Sequence, residues 1–195
     1  MSEQRLQLAV IIGSVRDGRF GPTVANWFAG EAAGRDDVHV DLVDLAEVRI
    51  GAAAPTMSPP AEVLRALGDL TPRLAAADAF VVVTPEYNRS YPGALKNAID
   101  WHNAQFHAKP VGFVSYGGRS GGLRAVEHLR LVFAELHAVT TRDTVSFHGT
   151  WDQFDGDGRP KDPQGPASAA SALLDQVTWW ARALKDAKRA TPYRA

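Results

Sequence analysis

The sequence predicts an α/β domain, a three-layer sandwich in which helices cover both faces of a five-stranded parallel sheet. Apolar runs typical of buried parallel strands alternate with segments of helical periodicity five times along the chain. The length of 195 residues suits one domain with a large core, and the absence of cysteine excludes disulfides and thiolate metal sites. We therefore expect residues 1–195 to form a single domain, with a loose tail from about residue 189.

The first strand and helix are indicated most clearly at the start of the chain. Residues 6–12 are almost entirely apolar, as expected for a strand that is covered on both faces. A helix follows, with Pro22 near its start and apolar residues at helical spacing. Polar and apolar residues then alternate over 38–43, which predicts a strand at the edge of the sheet.

The next segment contains a loop and an interrupted helical pattern. Residues 46–60 carry three prolines and two clusters of small residues, which predicts a surface loop. Apolar residues then step by helical turns over 63–74, but Pro72 lies inside this stretch. The pattern predicts either a kink or two short helices, with Gly68 ending the first and Thr71 capping the second.

The second half of the chain continues the alternation of strands and helices. Its predicted segments are strand 79–84, helix 92–102, strand 111–115, helix 123–136, strand 139–147, a polar loop over 149–166 and an amphipathic helix over 173–184. Successive parallel strands require right-handed crossovers. Five such strands favour the flavodoxin-like order 2-1-3-4-5, in which ligands bind beyond the carboxyl ends of the strands where the order reverses.

The loop after the first strand has the composition of a phosphate site. Residues 13–21 combine glycines with Ser14, Arg16 and Arg19, and a helix N-terminus follows them. Neither the P-loop motif nor the dinucleotide motif Gly-x-Gly-x-x-Gly is present. A single phosphate is therefore favoured over a pyrophosphate, which favours FMN over FAD.

The loops after the third and fourth strands are also unusual. In residues 84–93, Tyr87 offers an aromatic ring and Asn88 a donor and an acceptor, as a flat heterocycle requires. Glu86 is either a carboxylate in the pocket or a charge beside a helix. Residues 115–122 contain four glycines in eight positions, which indicates close approach of the backbone to a ligand or a tight turn into the next helix.

At these three loops the sequence resembles the NADPH-dependent FMN reductase family of flavodoxin-like proteins, which includes azobenzene, chromate and quinone reductases. The matching segments are Gly13–Arg16, Pro85–Asn88 with its extension Pro92–Trp101, Ser115–Gly118 and Gly121–Arg124. The resemblance implies bound FMN, with NADPH or NADH as the hydride donor and a small-molecule acceptor reduced by ping-pong turnover. The acceptors it implies are quinones, azo compounds, flavins or metal oxyanions.

The resemblance also implies which residues bind the cofactor. The first loop would hold the phosphate, the second would line the ribityl chain and the ring, and the third would wrap the other side of the ring. These residues are Ser14, Arg16, Arg19, Phe20 and Gly21; Pro85, Glu86, Tyr87 and Asn88; and Ser115, Tyr116, Gly117 and Gly118. Two roles stay open for Arg19: a contact with the phosphate of FMN, or a contact with the 2′-phosphate of NADPH. No side chain is expected to be catalytic, because the cofactor supplies the chemistry.

Oligomerisation is a further implication of the resemblance, as a homodimer or homotetramer. Trp101, His102 and Phe106 are expected at a subunit interface, and for Trp101 plain core packing is an equal alternative. Trp179 and Trp180 are adjacent in a helical segment, so we expect one to face outward and the other to pack inward.

Charge and hydropathy exclude several other classes of function. The net charge of −1 gives no general attraction for nucleic acid, and no apolar stretch suits a membrane helix or a signal peptide, so a cytoplasmic protein is expected. No metal-binding motif is present. Two alternatives to an enzyme remain: a flavodoxin-type electron carrier, which the near-neutral charge disfavours, and a non-enzymatic flavin-binding module.

Overall fold

The computed structural model describes residues 5–48, 50–51 and 54–195. Its sheet has five parallel strands in the order β2-β1-β3-β4-β5, which confirms the predicted fold class. The strands are β1 Leu6–Ile12, β2 Val38–Asp44, β3 Ala79–Pro85, β4 Pro110–Gly117 and β5 Val139–His148. The helices are α1 Gly21–Ala33, α2 Leu45–Val48, α3 Ala61–Ala76, α4 Gly93–Asp100, α5 Leu123–Glu135 and α6 Gln164–Ala190, with a short 3₁₀ helix at Thr150–Asp152.

Two hydrophobic clusters hold the three layers together, one on each face of the sheet. Helices α1 and α6 pack on one face, where Phe28 and Leu173 are buried among the side chains of the strands. Helices α3, α4 and α5 pack on the other face, around Leu70, Leu95 and Phe133. Successive side chains of each central strand enter opposite clusters, because strand side chains alternate between the two faces. This burial on both faces explains why the central strands are continuous apolar runs.

Helix α3 contradicts one of the two predicted alternatives, the pair of short helices. It is continuous from Ala61 to Ala76, with Pro72 inside it, and neither a break at Gly68 nor a cap at Thr71 occurs. Pro72 lies on the exposed side of the helix, where water can replace the backbone hydrogen bond that proline removes. Burial of the opposite side of α3 against the sheet then outweighs the local cost.

Helix α6 is longer at both ends than the predicted 173–184. Its first turns are built from alanine, serine and glycine, which leave no hydrophobic periodicity for sequence reasoning to detect. Beyond its end at Ala190, the Tyr193 hydroxyl lies 2.7 Å from Nδ1 of His137. The predicted surface loop 46–60 begins with the last three residues of α2, while residues 49, 52 and 53 lie outside the described part of the chain.

Several aromatic residues lie elsewhere than expected. Trp179 and Trp180 are both exposed, at 62% and 37%, with their rings edge to face, so the expectation that one packs inward is wrong. The inward positions of α6 are occupied instead by neighbouring smaller residues. Phe106 and His102 are buried within the chain, which removes them from any surface that a second subunit could contact. Trp101 packs partly buried against the core.

The described helices do not meet the requirements of a bilayer. None of them, including the long α6, combines the length and the apolar composition needed to cross a membrane.

Candidate functional site

The loops that follow β1, β3 and β4 lie at the same edge of the sheet, because these strands are neighbours. The first two loops are joined directly. The backbone N–H of Gly13 donates to the carbonyl of Val83 at 2.9 Å, and the hydroxyls of Ser14 and Tyr87 lie 2.8 Å apart. The structure therefore brings the first and second predicted loops into one site.

The loop between β1 and α1 forms an open, positively polarised cradle. Ser14 is fully buried, while residues 15–18 are exposed. Gly21 begins α1 where a Cβ atom would lie 2.9 Å from Cγ2 of Ile12 and 3.0 Å from the Tyr116 hydroxyl, so only glycine fits. The N-terminus of α1 has neither a side-chain cap nor an acidic residue in its first turn. Its free N–H groups and positive dipole end are thus available to an anion.

The two arginines of this loop differ in their partners. Arg16 is exposed, and its guanidinium lies 5.8 Å from the centre of the Tyr87 ring. No carboxylate in the described ranges pairs with it. Arg19 instead forms an ion pair with Asp44 at the end of β2, and its Nε is buried without a hydrogen-bond partner. Arg16 therefore offers an unpaired charge, whereas the charge of Arg19 is already balanced.

Tyr116 and Phe20 close the inner wall of the cradle. Burial, reinforced by the nearby Tyr87 hydroxyl, raises the pKa of Tyr116, so its hydroxyl stays protonated. The Phe20 ring lies 6.4 Å from the Tyr116 ring. A buried serine, protonated hydroxyl groups, free helix N–H groups and one unpaired guanidinium match the needs of a phosphate monoester. The residues present therefore fit the phosphate end of FMN.

The loop after β3 is a tight, strained turn. The backbones of Tyr87 and Ser90 exchange two hydrogen bonds, of 2.8 and 3.0 Å. Between them, Asn88 and Arg89 have φ angles of +50° and +72°, which residues with side chains seldom adopt. Strain of this kind is typical of functional loops. The side chains of Asn88 and Arg89 are both exposed, and sequence reasoning identified only the first of them.

Glu86 faces the next loop along the sheet. Its carboxylate accepts hydrogen bonds from the Ser120 hydroxyl at 2.6 Å and from Nη1 of Arg124 at 3.0 Å. Burial alone would raise the pKa of Glu86, but these hydrogen bonds outweigh burial and hold the pKa below its usual range. Of the two roles that the sequence left open, this geometry is that of a charge beside a helix, since Arg124 belongs to the first turn of α5.

The glycines after β4 are needed for the turn itself. Gly122 has a φ of +85°, and a Cβ atom there would lie only 2.7 Å from Cβ of Ser115. Ser115 is buried, and its hydroxyl donates to the carbonyl of Gly121 at 2.7 Å. Gly117 and Gly118 form the outer rim of this turn, and Gly118 is exposed. Thr150, which lies after β5, contacts Gly117 and was missed, since the sequence of 149–166 predicts no more than a polar loop.

A cleft of about 880 Å³ adjoins the cradle on the side of β2. It opens between Val15 of the cradle, the segment after β2 and helix α4. None of the residues predicted to bind the cofactor lines this cleft. The residues that line it are Val15, Leu45, Ala46, Ile50, Gly51, Ala54, Pro55, Gly93, Ala94, Lys96, Asn97, Ala98 and Asp100.

The polar side chains of this cleft are already paired. The amide of Asn97 donates to the carbonyl of Gly51 at 2.9 Å, which ties α4 to the segment after β2. Nζ of Lys96 lies 2.7 Å from both carboxylate oxygens of Asp100. The remaining lining is small or apolar, so the cleft presents little net charge to a ligand.

The chain is similar to several known proteins in sequence or in fold. A relative from Schizosaccharomyces pombe, an NAD(P)H-dependent FMN reductase, is 38% identical over 124 residues, and the match spans 60% of each protein. A 2-hydroxy-1,4-benzoquinone reductase from Burkholderia sp. is 36% identical over 145 residues, 69% of this chain and 73% of that protein. Among solved structures, the flavoenzyme NAD(P)H:(acceptor) oxidoreductase FerB from Paracoccus denitrificans has the same fold, with a TM-score of 0.69 and 24% identity over 91% of this chain and 98% of that chain.

The sequence pattern of a whole family also matches most of the chain. The pattern of the NADPH-dependent FMN reductases covers residues 6–152, which include β1 to β5 and all three loops of the site. The chain therefore belongs to the NADPH-dependent FMN reductase family, whose members are oxidoreductases that use FMN with NAD(P)H as the electron donor.

Proposed function

We propose that this protein binds FMN across the ends of β1, β3 and β4 and transfers electrons from NAD(P)H to small, flat, uncharged acceptors, with quinones as the first candidates. The cradle carries this proposal, because the buried Ser14, the unpaired Arg16 and the open N-terminus of α1 belong to one short segment of the chain. When bound there, FMN supplies a two-electron carrier, and the protein contributes binding, orientation and electrostatics.

The residues of the three loops have separate roles in this proposal. Ser14, Arg16, Phe20 and Gly21 hold or enclose the phosphate, while Arg19 supports the cradle through its ion pair with Asp44. Pro85, Tyr87 and Asn88 line the ribityl chain and one side of the ring. Ser115, Tyr116, Gly117 and Gly118 form the opposite wall, and Glu86 keeps the second and third loops together.

The cleft beside α4 supports the acceptor class. Its volume of about 880 Å³ is within the range for a single small ligand, so donor and acceptor would occupy it in turn, which gives ping-pong turnover. Its lining is mostly apolar, and its charged pair, Lys96 and Asp100, is internally balanced. An oxyanion would lose its hydration there without gaining a free cation, whereas a quinone would lose little. The Burkholderia relative, named a 2-hydroxy-1,4-benzoquinone reductase, supports quinones as a class of acceptor.

Turnover of protein loaded with FMN tests the proposal. With NADPH as donor, kcat/KM for a benzoquinone should exceed kcat/KM for chromate by at least about 100-fold, the cost expected for an unpaired charge in an apolar site. Asp100→Asn frees the cation of Lys96 and should shift that ratio severalfold towards chromate, whereas Asp69→Asn, an exposed change on α3, should not. Equal use of both acceptors would contradict the acceptor class. Flavin-loaded protein that reduces no small acceptor would favour an electron carrier.

We also propose a homodimer or homotetramer. Among the exposed aromatic groups, Trp179 and Trp180 of α6 are adjacent, and they, rather than the buried Phe106 and His102, are our candidates for contact with a second subunit. Exposed aromatic pairs are enriched at such contacts.

A further inference from the structure

We propose that Thr150 is a positioning residue of the flavin site, which sets the orientation of the Gly117–Gly118 backbone beside the ring. The inference rests on the proposed function and adds a fourth segment to the three loops of the site. That segment, Gly149–Phe154, is called the strap below. It follows β5, and none of its residues was among those expected to bind the cofactor.

The hydroxyl of Thr150 lies within hydrogen-bond distance of both the backbone N–H and the backbone carbonyl of Gly117. It accepts a hydrogen bond from the N–H of Gly117 at 2.8 Å. Its single proton can be donated to the carbonyl of Gly117 at 3.0 Å or to that of Phe147 at 3.1 Å. Thr150 is fully buried, so no water competes for these bonds. Because glycine has wide conformational freedom, an external side chain that fixes it determines how the loop is presented.

A second bond of the strap acts on the next residue. The N–H of Gly149 donates to the carbonyl of Gly118 at 3.0 Å. The carbonyl of Arg119 lies 3.0 Å from Nδ1 of His148, just before the strap. The strap and the end of β5 therefore contact the carbonyl groups of Gly118 and Arg119 in this turn.

The N–H groups of the same turn are left free. In the described parts of the chain, no acceptor bonds the backbone N–H of Gly118 or of Arg119. Two successive N–H groups on an exposed turn favour a ligand group that is, or becomes, negatively charged. A flavin gains electron density on reduction, so these donors would favour its reduced state. Thr150 orients them because it fixes the Gly117 peptide that precedes them.

The strap also reaches the phosphate end of the site. The Phe154 ring lies 5.3 Å from the Phe20 ring, edge to face, and 4.8 Å from the Phe147 ring. Beyond Phe154, the turn is closed by Asp155, whose carboxylate accepts the N–H groups of Asp157 and Arg159. The strap is thus an ordered connection between the third loop, through Thr150, and the cradle, through Phe154.

Thr150→Val tests the proposal, because valine keeps the shape of threonine and removes the hydroxyl. We expect it to weaken FMN and riboflavin binding by the same factor, about tenfold. The midpoint potential of the bound flavin should also become more negative. Thr150→Ser, which keeps the hydroxyl, should restore both properties. Thr141→Val removes a buried hydroxyl near the start of β5, at the opposite end of the strand from Thr150, and should change neither flavin affinity nor midpoint potential.

The outcomes separate this inference from the proposed function. If wild type binds FMN and turns over, but Thr150→Val matches it in flavin affinity and midpoint potential, the positioning role is wrong and the proposed function stands. Should Thr150→Val fail to fold, hydrogen exchange on the wild-type protein decides. FMN should then protect the amides of Gly118 and Arg119, while the amide of Gly117 is protected with or without FMN. Unchanged exchange at Gly118 and Arg119 on FMN binding would overturn the proposal.

Discussion

At the scale of single residues, Glu86 shows how one side chain can hold two loops of a site together. It follows β3, yet its hydrogen-bond partners, Ser120 and Arg124, belong to the loop after β4 and the start of α5. The negative charge also lies at the positive end of the α5 dipole. The carboxylate therefore fixes the width of the gap in which the ring of the cofactor is proposed to lie.

The lowered pKa of Glu86 makes this contact sensitive to pH. A folded-state pKa below the unfolded value means that ionised Glu86 stabilises the fold above the usual carboxyl range, and that this stabilisation disappears as the pH falls through it. Glu86→Gln should therefore lower the free energy of unfolding by about 1–2 kcal/mol at pH 7, as for a lost charged hydrogen bond. Urea unfolding at pH 7 and at acid pH measures the difference.

A matched substitution on α5 serves as the control for this pH effect. Glu135 is exposed and has no hydrogen-bond or ion-pair partner in the described residues, so Glu135→Gln should change stability little at either pH. A difference between wild type and Glu86→Gln that stays constant as the solution is acidified would contradict the account.

At the scale of secondary structure, α3 shows where tertiary packing overrides local signals. Its buried side chains, including Val63 and Leu70, anchor the helix on the sheet through a stretch that contains both Gly68 and Pro72. Both residues are exposed and disfavour a helix relative to alanine. The helix therefore carries two local costs that its packing offsets.

Removing those costs should stabilise the protein. A Cβ atom at Gly68 would meet no atom within 4 Å, so Gly68→Ala should raise the free energy of unfolding by about 1 kcal/mol. Pro72→Ala restores a backbone donor and should add between about 1 and 3 kcal/mol. Chemical denaturation of both variants measures the gain. If Gly68→Ala destabilised the protein, α3 could not be continuous at that residue.

The same elements show how far sequence reasoning extends. The five strands and their order follow from apolar runs and alternation, because burial on both faces leaves a direct pattern in β3 and its neighbours. The start of α6 could not be predicted, since its small residues carry no periodicity. The orientation of Trp179 and Trp180 depends on how α6 lies on the sheet, which the sequence does not encode locally.

The residues of the candidate site likewise include some that the sequence predicts and some that it does not. The cradle around Ser14 and Arg16 could be proposed from the sequence, because glycines, a hydroxyl, cations and a helix N-terminus lie within one short segment, as an anion site needs. Thr150 was not, because its role depends on a contact with Gly117, which is distant in the sequence. The ion pair between Arg19 and Asp44 likewise joins the loop before α1 to the end of β2, which only the folded sheet brings together.

At the scale of the whole molecule, the carboxyl edge of the sheet gathers every part of the proposed function. The cleft adjoins the cradle through Val15 and the loop after β3 through Gly93 and Ala94, at the start of α4. The strap after β5 closes the arrangement by contacting both the cradle and the third loop. Segments that follow each of the five strands therefore belong to the proposed site.

The central claim is that this site recognises FMN by its phosphate, and the most direct test compares the dissociation constants of FMN and riboflavin for wild type and Arg16→Ala. Wild type should bind FMN at least about 100-fold more tightly than riboflavin, as expected for charge-assisted hydrogen bonds to a phosphate. Arg16→Ala should lose most of that preference while riboflavin binding stays unchanged, and Arg65→Ala, an exposed control on α3, should behave as wild type. Equal affinity of wild type for FMN and riboflavin would contradict the account.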